Sequence, residues 1–284
     1  MPDASTRLVL LLGDPIAHSL SPLIHNTAFR AAGLDAVYLT CRVAPDAVAE
    51  AVAGLRALDV LGANVTIPHK RTALLHLDLL TPEAEAIGAV NTITRLDDGT
   101  LRGDNTDAAG FLHGLDTEAL RSAPALVFGN GGAARAVVYA LLTALRPPSL
   151  TLAARTPAAA EALAADFARF DERGALRVVP LADAGPAVRS SRLIVNATPL
   201  GMHPHEDATV WPDAEDFGDG QTVYDLVYAP TETRLLRDAA SRGARTVGGL
   251  AMLVGQAAAA FEQWTGQPMP LDAVRAALRQ RLNL

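Results

Sequence analysis

The chain of 284 residues has little cysteine, few aromatic residues and no long apolar run. Its single cysteine, Cys41, excludes an internal disulfide bond and a zinc site built on cysteines. Without a signal peptide or a membrane-spanning stretch, the expected location is the cytoplasm, and a membrane role is disfavoured. Basic residues are scattered and outnumbered, 24 against 31 acidic residues for a net charge of −7, so nucleic acid is not an expected partner.

The most informative stretch is 125–156. It begins with an apolar run, meets the cluster Gly129-Asn130-Gly131-Gly132, continues as an uninterrupted helix-forming segment and ends in a second apolar run. The two runs would lie parallel, because strand-helix-strand units cross over right-handedly. Gly129, Gly131 and Ala134 match the G-x-G-x-x-G/A turn, whose small residues let a pyrophosphate approach a helix N-terminus. The stretch predicts a Rossmann-type dinucleotide-binding domain.

The end of the second apolar run favours NADP over NAD. An NAD site places an acidic residue about 20 residues after the glycine turn, but none occurs between Glu118 and Glu161. Arg155 and Thr156 stand there instead, and Arg135 opens the helix, so donors suited to a 2′-phosphate are present. A solvated surface position for the arginines stays open as a plainer interpretation, and Thr156 followed by proline is also a usual helix start.

Apolar runs alternate with helix-forming segments along the whole chain, which predicts two α/β domains with mostly parallel sheets. A substrate-binding catalytic domain is expected at 1–107, completed by C-terminal helices within 248–284 that pack back on it. The Rossmann-type domain is expected at 108–247. A buried strand is predicted over 8–12, a helix is predicted to open at 68–70, and a short helix is predicted between the Thr81-Pro82 cap and Gly88. A hairpin with an Asp-Gly turn is predicted over 92–102.

Polar side chains gather in the loops after the N-terminal strands, where open α/β sheets bind ligands. Ser19 and Ser21 precede a predicted helix and can present two hydroxyls to a carboxylate, or Ser21 can serve as the N-cap. Asn64, Thr66 and Lys70 form a second group. A lysine in the first turn of a helix opposes the macrodipole, which favours proton donation, although a lysine considered alone is more often solvated.

A third polar group consists of Asn91 and the run Asp104-Asn105-Thr106-Asp107. Asp107 is also a good N-cap for the helix that follows, but a cap alone would not require so many polar neighbours. His203 and His205 lack a nearby third ligand, so no metal site is expected.

Eight runs of residues, taken in order, resemble those of the shikimate dehydrogenase family. They are GDPIAHSLSP (13–22) with His25-Asn26, NVTIPHK (64–70), GAVNT (88–92), GDNTD (103–107), GNGGAAR (129–135), NATPLGM (196–202), YDLVYAP (224–230) and GLAMLVGQ (249–256). The resemblance spans nearly the whole chain.

The resemblance implies an oxidoreductase that reversibly reduces 3-dehydroshikimate, a small-molecule substrate, to shikimate with NADPH in aromatic amino-acid biosynthesis. It implies Lys70 as general acid/base, paired with Asp107, and Ser19 and Ser21 as ligands of the substrate carboxylate. The residues implied around the substrate ring are Asn64, Thr66, Asn91, Asp107, Tyr228 and Gln256. The residues implied to bind NADP are Gly129, Asn130, Gly131, Gly132, Ala133, Arg135, Arg155, Thr156, Thr198, Gly249 and Met252.

Two positions depart from the family pattern. Ala154 stands where the family often has Asn, which removes an amide donor near the adenine ribose, and Asn130 stands where Ala is common. The alternatives are a quinate/shikimate dehydrogenase that also uses NAD, a related folate-intermediate dehydrogenase, and a catalytically inactive, dinucleotide-responsive regulatory module. Retention of Lys70 and Asp107 argues against the inactive module. Monomer and homodimer both stay open.

Overall fold

The computed structural model describes residues 3–284, which divide into two compact units. The first unit contains the chain up to Thr106 together with Gln256–Leu284, and the second contains Asp107–Gly255. Each unit has its own sheet with helices packed on it, which confirms the predicted class of two α/β domains. Across the described chain, no helix combines the length and the apolar character that crossing a bilayer requires.

The first unit is built on a mixed sheet with the strand order β2-β1-β3-β5-β6-β4. Its strands are β1 (Arg7–Gly13), β2 (Ala36–Arg42), β3 (Gly62–Val65), β4 (Leu79–Leu80), β5 (Thr92–Arg95) and β6 (Leu101–Asp104). β1 pairs in parallel with β2 and β3, whereas β5 runs antiparallel to β3 and β6. The hairpin predicted over 92–102 is therefore confirmed as β5 and β6.

Helices cover this sheet and include the end of the chain. They are α1 (Ser21–Ala31), α2 (Val48–Ala57), α3 (Pro82–Ile87), the second part of α9 (Leu250–Thr265), and α10 (Leu271–Leu282). The rings of Phe29 and Phe261 lie 5.4 Å apart, and the Trp264 indole N–H donates to the Ile93 carbonyl at 3.0 Å. These contacts confirm that the C-terminal helices pack on the first unit.

The helix predicted to open at 68–70 is wrong. The chain makes turns there and then a short 3₁₀ helix, Ala73–His76. The reason is that neighbours outside the segment hold it: the His69 ring contacts the Val43 carbonyl at 2.7 Å, and the Lys70 carbonyl accepts the N–H of Val90 at 2.8 Å. A carbonyl bonded to a distant loop residue does not continue an i→i−4 ladder.

The second unit has an all-parallel sheet with the order β12-β11-β10-β7-β8-β9. Its strands are β7 (Ala125–Phe128), β8 (Leu150–Ala154), β9 (Leu176–Pro180), β10 (Leu193–Asn196), β11 (Thr222–Asp225) and β12 (Arg245–Gly248). Its helices are α4 (Asp107–His113), α5 (Gly132–Ala140), α6 (Pro157–Phe167), α7 (Gly185–Ser190), α8 (Arg234–Ser241) and the first part of α9. A π-helical turn, Leu141–Leu145, extends α5. The order places β7, with its glycine turn, at the centre of the sheet.

Candidate active site

Ser19 and Ser21 lie where the loop after β1 meets α1. The Ser19 hydroxyl oxygen accepts the N–H of Ser21 at 3.2 Å. The alternative that Ser21 caps α1 is wrong, because the helix begins at Ser21 and no side chain caps it. The buried Ser21 hydroxyl instead bonds to the phenol of Tyr38. Both hydroxyls thus stand at the amino end of an 11-residue helix, where an anion is favoured.

Tyr38 is a buried residue of β2 that the sequence did not single out, and it connects Ser21 to Asn64. Its phenol donates to Asn64 Oδ1 at 2.8 Å. Asn64 Nδ2 in turn donates to the Asn91 carbonyl at 3.1 Å and to Thr92 Oγ1 at 3.2 Å. Burial raises the pKa of Tyr38, so its phenol stays a protonated donor. The amide of Asn64 is therefore held in one orientation.

Asn91 and Gln256 extend this polar cluster. The buried Asn91 Oδ1 accepts the N–H of Thr106 at 2.8 Å and the Thr92 hydroxyl at 3.0 Å. These bonds turn Asn91 Nδ2 the other way, toward Gln256 Oε1 at 3.5 Å. The first unit thus brings together Asn64, Asn91 and Gln256, three residues predicted around the substrate ring.

Thr66 and Lys70 lie on the turn that follows β3, at the carboxyl end of a strand that pairs with β1. The N–H of Thr66 donates to the Leu12 carbonyl at 2.9 Å, and the Lys70 main chain is held by Val90. The Lys70 side chain is half-buried. Hydrogen bonds to neighbouring segments, rather than a helix start, therefore fix the main chain of this lysine.

The polar run 104–107 contains residues that support the fold as well as the predicted catalytic carboxylate. Asp104 accepts the Thr81 hydroxyl, and the side chain of Asn105 donates to the Ala89 carbonyl at 2.9 Å. Asp107 is the buried first residue of α4. It follows directly on Thr106, whose N–H is bound by Asn91, so the entry into α4 has a fixed main-chain position.

The glycine turn after β7 has the geometry of a phosphate cradle. Gly129 has φ +106°, and a Cβ on it would lie 2.9 Å from Thr198 Cγ2 and 3.1 Å from the Ala197 carbonyl. Only glycine fits that position without strain. Gly131 is the N-cap of α5, and a Cβ there would meet no atom within 4 Å, so backbone N–H groups can be approached closely. The other predicted residues of this turn, all half-buried, are Asn130, Gly132 and Ala133.

The three residues predicted to meet a 2′-phosphate have different environments. Arg155 and Thr156 are exposed directly after β8, and Thr156 makes no side-chain cap for α6. Arg135 is only 7% exposed, so its interpretation as a solvated surface residue is wrong. Its guanidinium lies 2.7 Å from Asp166 and over the ring of Phe167. Arg135 therefore tethers α5 to α6, which the sequence did not indicate.

A buried network, which the sequence did not indicate either, holds Thr198. The N–H and hydroxyl of Thr198 donate to Asn196 Oδ1 at 3.0 and 2.7 Å. Asn196 Nδ2 donates to Asp225 Oδ1 at 2.9 Å, and Asp225 also accepts the N–H of Val227 and the hydroxyl of Thr233. Burial raises the pKa of Asp225 to about 6, although these hydrogen bonds oppose the shift. Asn196 is the last residue of β10 and Asp225 is the last residue of β11, and each belongs to one of the eight family runs. Their place in these runs is the signal from which a role in holding Thr198 could have been predicted.

The remaining predicted residues lie after β11 and β12. Gly249 immediately precedes α9, and a Cβ there would lie 2.7 Å from the Val227 carbonyl oxygen and still closer to that of Leu226. Met252 is buried on α9, and burial raises the pKa of the half-buried Tyr228. Close backbone approach therefore requires glycine at 249.

Within residues 3–284, no group of three or more histidine, cysteine and acidic side chains is arranged to hold a metal ion. His203 pairs with Glu206, its neighbour three residues on, at 2.9 Å, and both side chains are exposed.

Comparison with known proteins finds similarity over nearly the full chain. Residues 11–93 match the family model of the shikimate dehydrogenase substrate binding domain, and 249–279 match that of the shikimate 5'-dehydrogenase C-terminal domain. The chain is 59% identical to shikimate dehydrogenase (NADP(+)) of Salinibacter ruber, with 98% of each chain covered. It is 47% identical to that of Moorella thermoacetica, covering 99% of this chain and 95% of the relative. The structure of shikimate 5-dehydrogenase from Thermus thermophilus in complex with NADP(H) and shikimate superposes with a TM-score of 0.85 at 40% identity, covering 97% and 99% of the two chains.

Proposed function

Since this chain belongs to the shikimate dehydrogenase family, we infer that it is an NADP-dependent oxidoreductase that reversibly reduces 3-dehydroshikimate to shikimate. Similarity over the full length of a shikimate dehydrogenase (NADP(+)) carries this inference. The reaction belongs to the biosynthesis of aromatic amino acids.

We assign Ser19 and Ser21 to the substrate carboxylate. Two hydroxyls at the amino end of α1 support this assignment, because hydroxyl donors and a helix N-terminus both favour a negative charge. Asn64, Thr66, Asn91 and Gln256 are assigned to the ring, since buried amides with settled hydrogen-bond directions recognise hydroxyl groups selectively. Tyr228 is assigned on the family resemblance alone.

The catalytic role of Lys70 follows from the charge that develops in the reaction. NADPH, when bound, supplies a hydride to the ketone carbon of the substrate, and negative charge builds up on the ketone oxygen. The Lys70 ammonium stabilises this oxygen and donates a proton to it, and in shikimate oxidation Lys70 accepts the proton. Asp107 is assigned as the second member of the pair, a carboxylate that accepts a hydrogen bond from the reacting hydroxyl. The fixed main-chain positions of both residues support this assignment.

The second unit supplies residues that fit NADP. Gly129 and Gly131 let backbone N–H groups at the start of α5 approach a pyrophosphate. Arg155, exposed at the end of β8, is assigned to the 2′-phosphate together with Thr156. Because Arg135 is already paired with Asp166, we assign the larger part of the phosphate selectivity to Arg155. The nicotinamide end is assigned to the residues Thr198, Gly249 and Met252.

A kinetic assay tests the activity and the cofactor preference together. Purified protein is incubated with shikimate and either NADP or NAD, and the nicotinamide absorbance is followed. We expect turnover with a strong preference for NADP. No turnover with either dinucleotide, despite measurable NADP binding, would refute the enzymatic assignment and support the inactive regulatory module.

The preference between shikimate and quinate tests the serine assignment. Quinate carries an additional hydroxyl on the carbon that bears the carboxylate, and the serines already committed to that carboxylate leave it without a partner. An unpaired buried hydroxyl costs ~1–3 kcal/mol, so we expect about a 5- to 150-fold higher kcat/KM for shikimate with NADP. A ratio near unity would show that Ser19 and Ser21 do not set the preference.

A further inference from the structure

Tyr38 is fixed within the first unit from several sides. The side chain of Asn26 binds its main chain twice, accepting the N–H at 2.8 Å and donating to the carbonyl at 2.9 Å. The His25 ring stacks on the tyrosine ring with centroids 4.5 Å apart and planes 11° apart. Burial lowers the pKa of His25 to about 3, so this neighbour is neutral in the working range of the enzyme. The phenol oxygen therefore has little freedom to move.

The directions of the hydrogen bonds around Tyr38 follow from the groups involved. Asn64 Nδ2 lies 3.1 Å from the Asn91 carbonyl, which can only accept, so Asn64 Oδ1 is the atom that faces Tyr38. The phenol must donate to that oxygen. Its single hydrogen is then used, and in its bond with Ser21 the serine must be the donor.

We propose that Tyr38 is a positioning residue for substrate binding, which aims Ser21 and orients Asn64 before the substrate arrives. This inference rests on the proposed function, because Ser21 and Asn64 are assigned there to the substrate carboxylate and ring. Both amide hydrogens of Asn64 are used by Asn91 and Thr92, so the side chain offers the substrate the second lone pair of Oδ1. Asn64 then accepts from a ring hydroxyl rather than donating to it.

The same geometry describes what happens to Ser21 when the carboxylate binds. The Ser21 oxygen keeps its place at the start of α1, and its hydrogen turns from Tyr38 to the carboxylate. Tyr38 keeps its bond to Asn64, because that bond uses its own hydrogen. Before binding, one phenol thus holds the carboxylate ligand and the ring ligand in a fixed relation to each other, and after binding it still holds the ring ligand.

The test is Tyr38→Phe, which keeps the ring stacked on His25 and removes only the hydroxyl. We expect KM for shikimate to rise roughly tenfold, the scale of one buried hydrogen bond, with kcat and KM for NADP changed less than about threefold. Calorimetric titration of shikimate should give the same loss of affinity without turnover. Tyr224→Phe is the matched control for KM of shikimate, because the phenol of this other buried tyrosine has no side-chain partner within the described residues and lies against the main chain of Met252, outside the residues assigned to shikimate.

A double-mutant cycle separates positioning from general stability. If Tyr38 acts through Asn64 and Ser21, Tyr38→Phe should raise KM by clearly less than tenfold once Asn64→Ala is present, because only the Ser21 part of its effect remains. An unchanged KM for shikimate in Tyr38→Phe would overturn the inference. Equal rises in KM for shikimate and KM for NADP, together with a lowered Tm, would also overturn it, because they would indicate a merely structural role. Ser21→Ala and Asn64→Ala must themselves raise KM for shikimate. If neither does, the substrate assignment of the proposed function fails, whereas a silent Tyr38→Phe beside two impaired variants refutes the role of Tyr38 alone.

Discussion

Replacing Asp225 with asparagine should remove a pH-dependent contribution to the stability of the protein. In the fold, this fully buried carboxyl has a pKa of about 6, raised from 3.8 by burial. At ~1.36 kcal/mol for each pKa unit, the difference corresponds to on the order of 3 kcal/mol. Because the folded pKa is the higher one, the stabilising contribution is fully present below the unfolded pKa and is lost as the pH rises through about 6.

Asparagine can replace the protonated form with little rearrangement. Asn196 and Val227 both donate to Asp225 Oδ1, and an amide oxygen can accept both bonds. The amide nitrogen then faces the Thr233 hydroxyl, which must turn to accept. This costs some stability, but the cost does not change with pH.

The assay is urea unfolding of the wild type and Asp225→Asn over a series of pH values. We expect the free energy of unfolding of the variant, relative to the wild type, to improve by roughly 2 kcal/mol between about pH 4.5 and about pH 7.5. The comparison cancels other titrating groups that the two proteins share. If the difference in unfolding free energy between the two proteins stays constant with pH, the reasoning is refuted, because the pKa of this carboxyl would then be the same in the folded and the unfolded protein.

Three further predictions concern catalysis, cofactor choice and backbone fit. Lys70→Ala should lower kcat by a factor on the order of 10²–10⁴ with a smaller change in KM for shikimate, and a folded variant with nearly full activity would rule out the assigned mechanism. Arg155→Ala should raise KM for NADP selectively and leave KM for NAD nearly unchanged in steady-state assays; equal losses with both dinucleotides would contradict the assignment to the 2′-phosphate. Gly249→Ala should lower Tm strongly, because its Cβ would press on backbone oxygens. At the neighbouring Gly248 the nearest atom to a Cβ is 3.3 Å away, so Gly248→Ala should lower Tm much less in the same thermal scan. Similar Tm values for the two variants would contradict the close approach at Gly249.

Local sequence patterns predicted those elements whose causes are local. The apolar run of β1, the glycine turn before α5, and the short helix α3 each carry their own determinants. For α3 these are the Thr81 side chain, which accepts the N–H of Ala84, and Gly88, whose φ of +68° ends the helix. No distant partner is needed for any of these features.

Side-chain contacts that depend on distant partners were not predicted, although the packing of the C-terminal helices on the first unit was. Tyr38 bonds to a residue 26 positions away, and nothing in β2 itself indicates that contact. The helix expected at 68–70 failed for the same reason, because Val90 takes the Lys70 carbonyl. The strand β12 was missed because it is short and half-exposed, so that an alternating apolar pattern is absent.

The packing of Phe261 and Trp264 on the first unit has a consequence for synthesis of the chain. These side chains pack on residues of the first 106: Phe261 lies against Phe29, and the Trp264 indole N–H donates to the carbonyl of Ile93. During synthesis, the amino-terminal sheet therefore lacks the cover of α10 and of the second part of α9 until the residues from Gln256 onward have been made. The second unit is continuous in the chain and is complete before that point, so a nascent protein stalled near residue 255 would expose the apolar face around Phe29 to chaperones.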